Sequence, residues 1–160
     1  DLLGVSKEEV FVSERLCCRL DQIPLIDLVK EIEGHIDDYC PSRVFTHSEG
    51  DVNVDHCLAY RATLPAVRPI SNSKLKAVYS FEVLSSTEWS PSNLFTPTSF
   101  FDITESIDQK ITAFSAYEEE MREPPHSRSE EVIRSLARFR GAQAGVAFAE
   151  GFQLIRSVNL

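Results

Sequence analysis

The sequence lacks the features of several specialised classes of protein. No segment approaches the roughly 18 uninterrupted apolar residues of a membrane span, so we expect none to cross a bilayer. No internal repeat or low-complexity tract occurs, and 42% hydrophobic with 26% charged residues indicate a folded globular protein. Positive charge is scarce, because 16 Lys and Arg stand against 25 Asp and Glu, for a formal charge of −9. Without a broad positive field, we expect no nucleic-acid partner.

Cysteine is also sparse, and its four copies show no CxxC spacing. Cys17 and Cys18 are adjacent, which is awkward for two separate disulfides, while Cys40 and Cys57 stand alone. The N-terminal Asp-Leu-Leu-Gly-Val segment is too short for a secretory signal and has no basic lead. These observations favour reduced thiols, buried as small hydrophobes, in a cytoplasmic protein.

Methionine occurs once, as Met121, and the chain begins at Asp1 rather than at an initiator Met. The length of 160 residues falls within the usual range of about 100–200 for one domain. We therefore expect a single domain over residues 1–160 that is incomplete at its N-terminus, where the presence of a signal stays open.

Apolar periodicity predicts helices and strands in alternation. The predicted helices cover residues 24–39, 56–67 and 104–121, with a last one that Ser129 caps. The predicted strands cover residues 43–46, 75–84 and 99–103, with residues 152–155 as a closing edge strand. This order predicts an α/β fold with a mostly parallel sheet.

The most informative segment is the polar loop that follows the first predicted strand. Its ionisable and amide side chains are His47, Glu49, Asp51, Asn53, Asp55 and His56. Ligands of α/β proteins bind at the carboxyl ends of the strands, so the position of this loop favours a site. A polar loop that forms turns, with Asp55 as the cap of a helix beginning at His56, is an equal alternative.

Ligand spacing excludes one metal and leaves another open. A calcium loop starting at Asp51 needs glycine at its sixth position and glutamate at its twelfth, where this chain has His56 and Ala62. Zinc accepts His and carboxylate ligands, and a catalytic zinc needs three protein ligands and a water. His56 is a suitable single ligand, but no HxxxH or HxxE set completes a site.

The segment Gly50-Asp-Val-Asn-Val-Asp-His56, after Val-Phe-Thr-His, resembles the second signature of the LmbE/PIG-L family of metal-dependent N-deacetylases. The likeness extends over nearly the whole chain. Its other parts are the segments 19–27, 81–89 and 126–129, the pair Arg140-Gly141 and the segment 149–152.

The resemblance implies a Rossmann-like, three-layer α/β domain that holds one Zn²⁺ per chain at the carboxyl ends of the strands. It also implies hydrolysis of the acetamide of an N-acetylated sugar, a glycoconjugate of the N-acetylglucosamine type or a similar small molecule, by a zinc-activated water. The metal-binding His of the signature falls on His56. The catalytic positions that we assign on this basis are Asn53 and Asp55, and the substrate-binding positions are His47, Asp51, Trp89 and His126.

Two departures from the family pattern limit what the resemblance implies. No His-Pro-Asp-Asp-Glu segment occurs, and in the family this segment supplies two metal ligands and the general base. We therefore expect the N-terminal strand–loop–helix unit to be missing. Asn53 stands where many members have a His, and an amide donates a hydrogen bond but does not titrate.

Other interpretations remain open at this stage. A non-catalytic domain of the same fold that binds a sugar-like ligand or a partner is the alternative to an enzyme. Trp89 is either a stacking platform for a sugar or a packing anchor, and His126 either lines a substrate entrance or belongs to a plain loop. Cys57 is not expected to be a nucleophile with His56, because neighbouring side chains on a helix point about 100° apart. Self-association into a homo-oligomer also stays open.

Overall fold

Helices and strands alternate along the computed structural model, which describes residues 2–13, 18–69, 74–91 and 94–158. In chain order its helices and strands are α1 (Leu25–Tyr39), β1 (Arg43–His47), α2 (Val54–Ala66), β2 (Ala77–Phe81), β3 (Ser99–Asp102), α3 (Ile107–Ser115), α4 (Glu130–Ala144) and β4 (Ala149–Ser157). Single 3-10 turns lie at Lys7–Glu9, Leu20–Gln22 and Thr87–Trp89. The predicted α/β fold class is confirmed. None of the helices in the described ranges combines the length and apolarity that crossing a membrane requires.

The chain divides into two compact units. One comprises Asp1–Glu14 with Phe100–Gly151, and the other comprises Arg15–Ser99 with Phe152–Leu160. The single domain over residues 1–160 stays a prediction. We refer to the second unit as the β1–β2 unit, because it holds both of these strands and the polar loop between β1 and α2.

A parallel pair of strands forms the centre of the β1–β2 unit. β1 and β2 are joined through α2, and Val44 pairs with Val78 and Thr46 with Ser80. Val78 is fully buried and packs with Val44 and with Val67, the C-terminal cap of α2. A second cluster joins α1 to α2 through the buried residues Leu28, Val29, Ala62 and Ala66. These two apolar clusters fix α2 against α1 and against the β1–β2 pair, and so set the position of the start of α2 near the carboxyl end of β1.

The sheet is mixed, where the sequence predicts a mostly parallel one. Its order is β1-β2-β4-β3, and β4 runs antiparallel to β2, with Phe81 opposite Phe152. β4 is therefore an inner strand and not the predicted closing edge strand. The error has a physical cause, because an apolar run reveals that a strand forms but not from which end the chain enters the sheet. Only the crossover through α2 makes the β1–β2 pair parallel.

The other unit contains α3 and α4, whose buried residues are Ile107, Ile111, Ile133 and Ala137. Ser129 caps α4 as predicted, since its hydroxyl accepts the Val132 N–H at 3.4 Å. α3 ends at Ser115, well before the predicted limit of 121. Tyr117, which continues the apolar stripe of the sequence, is 66% exposed, so no packing supports another helical turn there.

Candidate functional site

The carboxyl ends of β1 and β2 place two loops side by side. His47 is the last residue of β1, and the loop from Ser48 to Asn53 leads into α2. Ser86 and Thr87 follow β2, and both are buried. Because β1 and β2 are parallel neighbours, the residues after each strand meet at the same edge of the sheet.

The carboxylate of Asp51 is the centre of this site. Its side chain is fully buried. Oδ1 accepts hydrogen bonds from the Ser86 hydroxyl and from the Asn53 N–H at 2.8 Å, and Oδ2 accepts one from the Thr87 hydroxyl at 2.8 Å. The Nδ1 atom of His56 lies 3.1 Å from Oδ2. Burial alone would raise the pKa of Asp51, but the hydrogen bonds from Ser86, Asn53, Thr87 and His56 hold it below its usual value.

His56 lies in the first turn of α2 with its ring between a carboxylate and another imidazole. Besides Asp51, its Nδ1 atom faces the Ser86 hydroxyl oxygen at 3.4 Å. The ring stacks on that of His47, with centroids 3.9 Å apart and planes 8° from parallel. The side chain retains 21% exposure, so the ring is held on several sides and still reaches solvent.

His47 is a neutral imidazole in this arrangement. Burial and the neighbouring His56 lower its pKa to about 4, and Asp51 opposes this only in part. Its Nδ1 atom is buried and has no hydrogen-bond partner among the residues that the structure describes. Its ring also lies against Phe81, with centroids 4.8 Å apart. His47 thus joins His56 and Asp51 in one cluster, while its predicted contact with substrate stays a prediction.

Asn53 and Asp55 lie at the start of α2, and the side chain of each accepts hydrogen bonds from backbone N–H groups. Asn53 is the N-terminal cap, since its Oδ1 atom accepts the N–H groups of Asp55 at 2.9 Å and His56 at 3.4 Å. The expected cap at Asp55 is therefore wrong, because α2 begins at Val54. Asp55 instead accepts the N–H groups of Cys18 at 2.6 Å and Leu20 at 3.0 Å. The catalytic roles assigned to Asn53 and Asp55 stay predictions.

The two remaining predicted residues differ in their settings. Trp89 ends the 3-10 turn that begins at Thr87 and is 70% exposed, so it is not a packing anchor. His126 belongs to the other unit, where its Nδ1 atom accepts the Arg128 N–H at 3.0 Å. Substrate binding by Trp89 and by His126 stays a prediction.

Ser86 and Thr87 are site residues that sequence reasoning missed. Neither hydroxyl belongs to a recognisable catalytic or metal-binding pattern, and both lie more than 30 positions from Asp51 in the chain. The available signal was their position directly after β2, the parallel neighbour of β1.

Cys57 is engaged with backbone and not with His56. Its thiol donates to the carbonyl oxygen of Asp51 at 2.8 Å. Burial, followed by the charge of Asp51, raises its pKa, so the thiolate is disfavoured. Cys40 and Cys57 are free thiols, and Cys17 lies outside the described residues. The expected burial of the thiols as small hydrophobes is wrong, because Cys18 and Cys40 are exposed and Cys57 is only half-buried.

The cluster fits one ligand of a zinc site. A metal-binding His commonly donates its second ring N–H to a carboxylate, as the Nδ1 atom of His56 is placed to do toward Asp51. Within the described ranges, no group of three His, Cys, Asp or Glu side chains is arranged to hold a metal ion. The described residues thus orient a single His and do not complete a three-ligand set.

Comparisons with solved structures agree with the fold that the resemblance implies. Neither a protein-family model nor a curated protein matches the chain. An N,N'-diacetylchitobiose deacetylase from Pyrococcus horikoshii, solved with an inhibitor, matches 96% of this chain and 59% of its own, with a TM-score of 0.71 and 18% identity. A conserved protein from Thermus thermophilus matches 89% of this chain and 64% of its own, with a TM-score of 0.66 and 21% identity. A 4-carboxy-2-hydroxymuconate hydratase from Pseudomonas putida matches 84% of this chain and 60% of its own, with a TM-score of 0.63 and 23% identity.

These identities show similarity of fold alone. The chain spans less than two thirds of the length of each of the three solved structures. Its fold is similar to that of a deacetylase and also to that of a hydratase.

Proposed function

We propose that this chain is part of a zinc-dependent N-deacetylase that removes the acetyl group of an N-acetylated sugar or a similar small molecule. The observation that carries the proposal is the pairing of His56 with the buried carboxylate of Asp51 at the carboxyl end of β1. This pairing occupies Nδ1 of His56 and leaves Nε2 as the atom for a metal. The similarity of fold to a diacetylchitobiose deacetylase supports the choice of reaction.

The proposal gives His56 and Asn53 separate parts in the reaction. When bound, the zinc would lower the pKa of a water and polarise the acetamide carbonyl. His56 would supply one ligand, and the other two, with the general base, would come from the His-Pro-Asp-Asp-Glu-type segment that the resemblance implies. The Asn53 amide group, whose oxygen caps α2, would direct its N–H donors toward the carbonyl oxygen.

The first test is the metal content of the protein, expressed together with any residues that precede Asp1 in its reading frame. We expect about one zinc ion per chain by elemental analysis, and we expect His56→Ala to lose most of it. His35→Ala is the matched control, because His35 lies on α1 against Tyr39 and should leave the zinc content unchanged. Equal zinc in the His56→Ala variant and the wild type, with both folded by circular dichroism, would remove His56 from the metal site.

A second candidate is a non-catalytic domain of the same fold that binds a sugar. The observation in its favour is Trp89, which is 70% exposed on the same short turn as Thr87 and offers a ring face for stacking. Calorimetric binding of N-acetylglucosamine that Trp89→Ala abolishes, in a zinc-loaded protein that releases no amine, would favour this binder over the enzyme.

A further inference from the structure

We propose that Asp51 is a positioning residue, held by Ser86 and Thr87, that fixes His56 as the tautomer with its proton on Nδ1. The consequence for metal binding rests on the proposed function, but the tautomer itself does not. The side chain of Asp51 is fully buried, which suits a positioning role, and its expected contact with substrate stays a prediction.

The first step of the argument is the hydrogen-bond inventory of the carboxylate. Three hydrogen-bond donors are directed at the carboxylate of Asp51: the Asn53 N–H and the hydroxyls of Ser86 and Thr87. With three donors directed at its two oxygens, the carboxylate is the acceptor in each of these hydrogen bonds. The contact with His56 at 3.1 Å therefore requires a proton on the imidazole side.

The second step concerns the other group at Nδ1 of His56. The Ser86 oxygen lies 3.4 Å from this nitrogen, but the single hydroxyl hydrogen of Ser86 is already donated to Asp51. Both neighbours of Nδ1 thus present oxygen lone pairs. An unprotonated Nδ1 would face two acceptors at once, so the neutral ring carries its hydrogen there and keeps the Nε2 lone pair free.

The third step is the rigidity of the segment that supplies the two hydroxyls. The Thr87 oxygen accepts the Val83 N–H at 2.7 Å, which directs its own hydrogen toward Asp51. The Glu88 carboxylate accepts the N–H groups of Ser85 at 2.5 Å and Ser86 at 3.0 Å. These contacts fix the turn after β2, so Ser86 and Thr87 approach Asp51 as a preorganised pair of donors and not as mobile side chains.

The test is the tautomer of His56 in the metal-free protein, read from two-bond ¹H–¹⁵N correlations of the imidazole rings. His56→Ala assigns the resonances among the four histidines. We expect the wild type to show a pyrrole-type Nδ1 and a pyridine-type Nε2, with the opposite tautomer undetectable. In Asp51→Asn the opposite tautomer should become readily detectable, because an amide can donate to Nδ1. Asp102→Asn, a matched change in the other unit where Asp102 accepts from Thr104, should leave the spectrum of His56 unchanged.

The outcomes separate this inference from the proposed function. A wild-type His56 with its proton on Nε2, or as a mixture, would overturn the inference even if Asp51→Asn fails to fold. A fixed Nδ1–H tautomer in a protein that binds no zinc would uphold the inference and defeat the proposed function. If both hold, Asp51→Asn should weaken zinc binding by about 10–100-fold. An unchanged tautomer in a folded Asp51→Asn variant would assign the orientation to other contacts and contradict the inference.

Discussion

Asn53 allows a test of whether one side chain serves both structure and chemistry, through different atoms. Its amide oxygen caps α2 by accepting two backbone N–H groups, while the role predicted for catalysis uses the amide hydrogens. Asn53→Ala removes both and should lower the free energy of unfolding by about 1 kcal/mol, measured by urea denaturation. Asn53→Asp keeps the cap and deletes the donor, so it should retain stability within about 0.5 kcal/mol and reduce amide hydrolysis. An Asn53→Asp variant with wild-type turnover would leave Asn53 with the cap alone.

Substitution of Asp55 tests how much one carboxylate contributes to the free energy of unfolding when it binds the backbone of a distant segment. It accepts the N–H groups of Cys18 and Leu20, which lie more than 30 positions away. Asp55→Ala leaves these donors without this acceptor and should cost about 1–3 kcal/mol of unfolding free energy. Hydrogen exchange should accelerate at the Leu20 amide and stay unchanged at amides of α4. Wild-type protection of Leu20 in the variant would show that this bond contributes little.

Sequence reasoning located His56 but not the residues that orient it. A His after a polar loop at the end of a strand carries a recognisable pattern, whereas Ser86 and Thr87 are two hydroxyls in a serine-rich turn. Their function depends on the parallel pairing of β1 with β2, which brings the two loops together. A candidate ligand can thus be recognised from the local sequence, whereas the residues that contact it depend on which strands pair in the sheet.

At the scale of helices and strands, the bounds of α1 and the start of α4 at its Ser129 cap were predicted well, whereas the cap of α2 was not. α1 lies between Pro24 and Pro41, within one residue of its predicted bounds, because neither proline fits the interior of a helix. α3 has no such mark, and its apolar stripe continues into exposed residues, so its length was overestimated. The direction of β4 was not predictable, since it depends on which neighbouring strand accepts its backbone hydrogen bonds.

Two helical glycines provide a matched pair of tests. A Cβ atom at Gly34 in α1 meets nothing within 4 Å, whereas one at Gly141 in α4 comes within 2.7 Å of the Val146 carbonyl oxygen and 2.8 Å of Ala147. Gly34→Ala should therefore stabilise the protein by about 0.5–1 kcal/mol, the difference in helix propensity. Gly141→Ala should destabilise it by about 1–3 kcal/mol, because backbone has to move. Thermal unfolding measures both, and equal effects of the same sign would contradict the close approach at Gly141.

For the whole molecule, the similarity of fold leaves the reaction open. Similar folds occur in a deacetylase and in a hydratase, so the fold does not choose between these two activities. Which substrate binds depends on the loops around the site, and the charges of these loops can be counted in the sequence. Residues 46–56 and 82–91 contain five carboxylates (Glu49, Asp51, Asp55, Glu82 and Glu88) and no Lys or Arg. Asp51 is buried, but Glu49 and Glu88 are exposed and Asp55 and Glu82 are half-buried, so these four form an acidic rim. On a chain of charge −9, this rim disfavours an anionic substrate.

This charge distribution leads to a prediction about substrate class. On the proposed function, the zinc-loaded protein, with any residues that precede Asp1, should release a primary amine from N-acetylglucosamine, detected by an amine-reactive fluorophore. N-acetylglucosamine 6-phosphate keeps the same acetamide and adds negative charge, so its kcat/KM should be lower by about tenfold at low ionic strength. Raising the salt concentration should narrow this difference, because salt screens charges that are more than about 10 Å apart. A phosphorylated sugar that reacts as fast as the neutral one at low salt would show that the acidic rim does not face the substrate. Failure of both sugars in a protein that binds zinc would instead exclude N-acetylglucosamine itself as the substrate class.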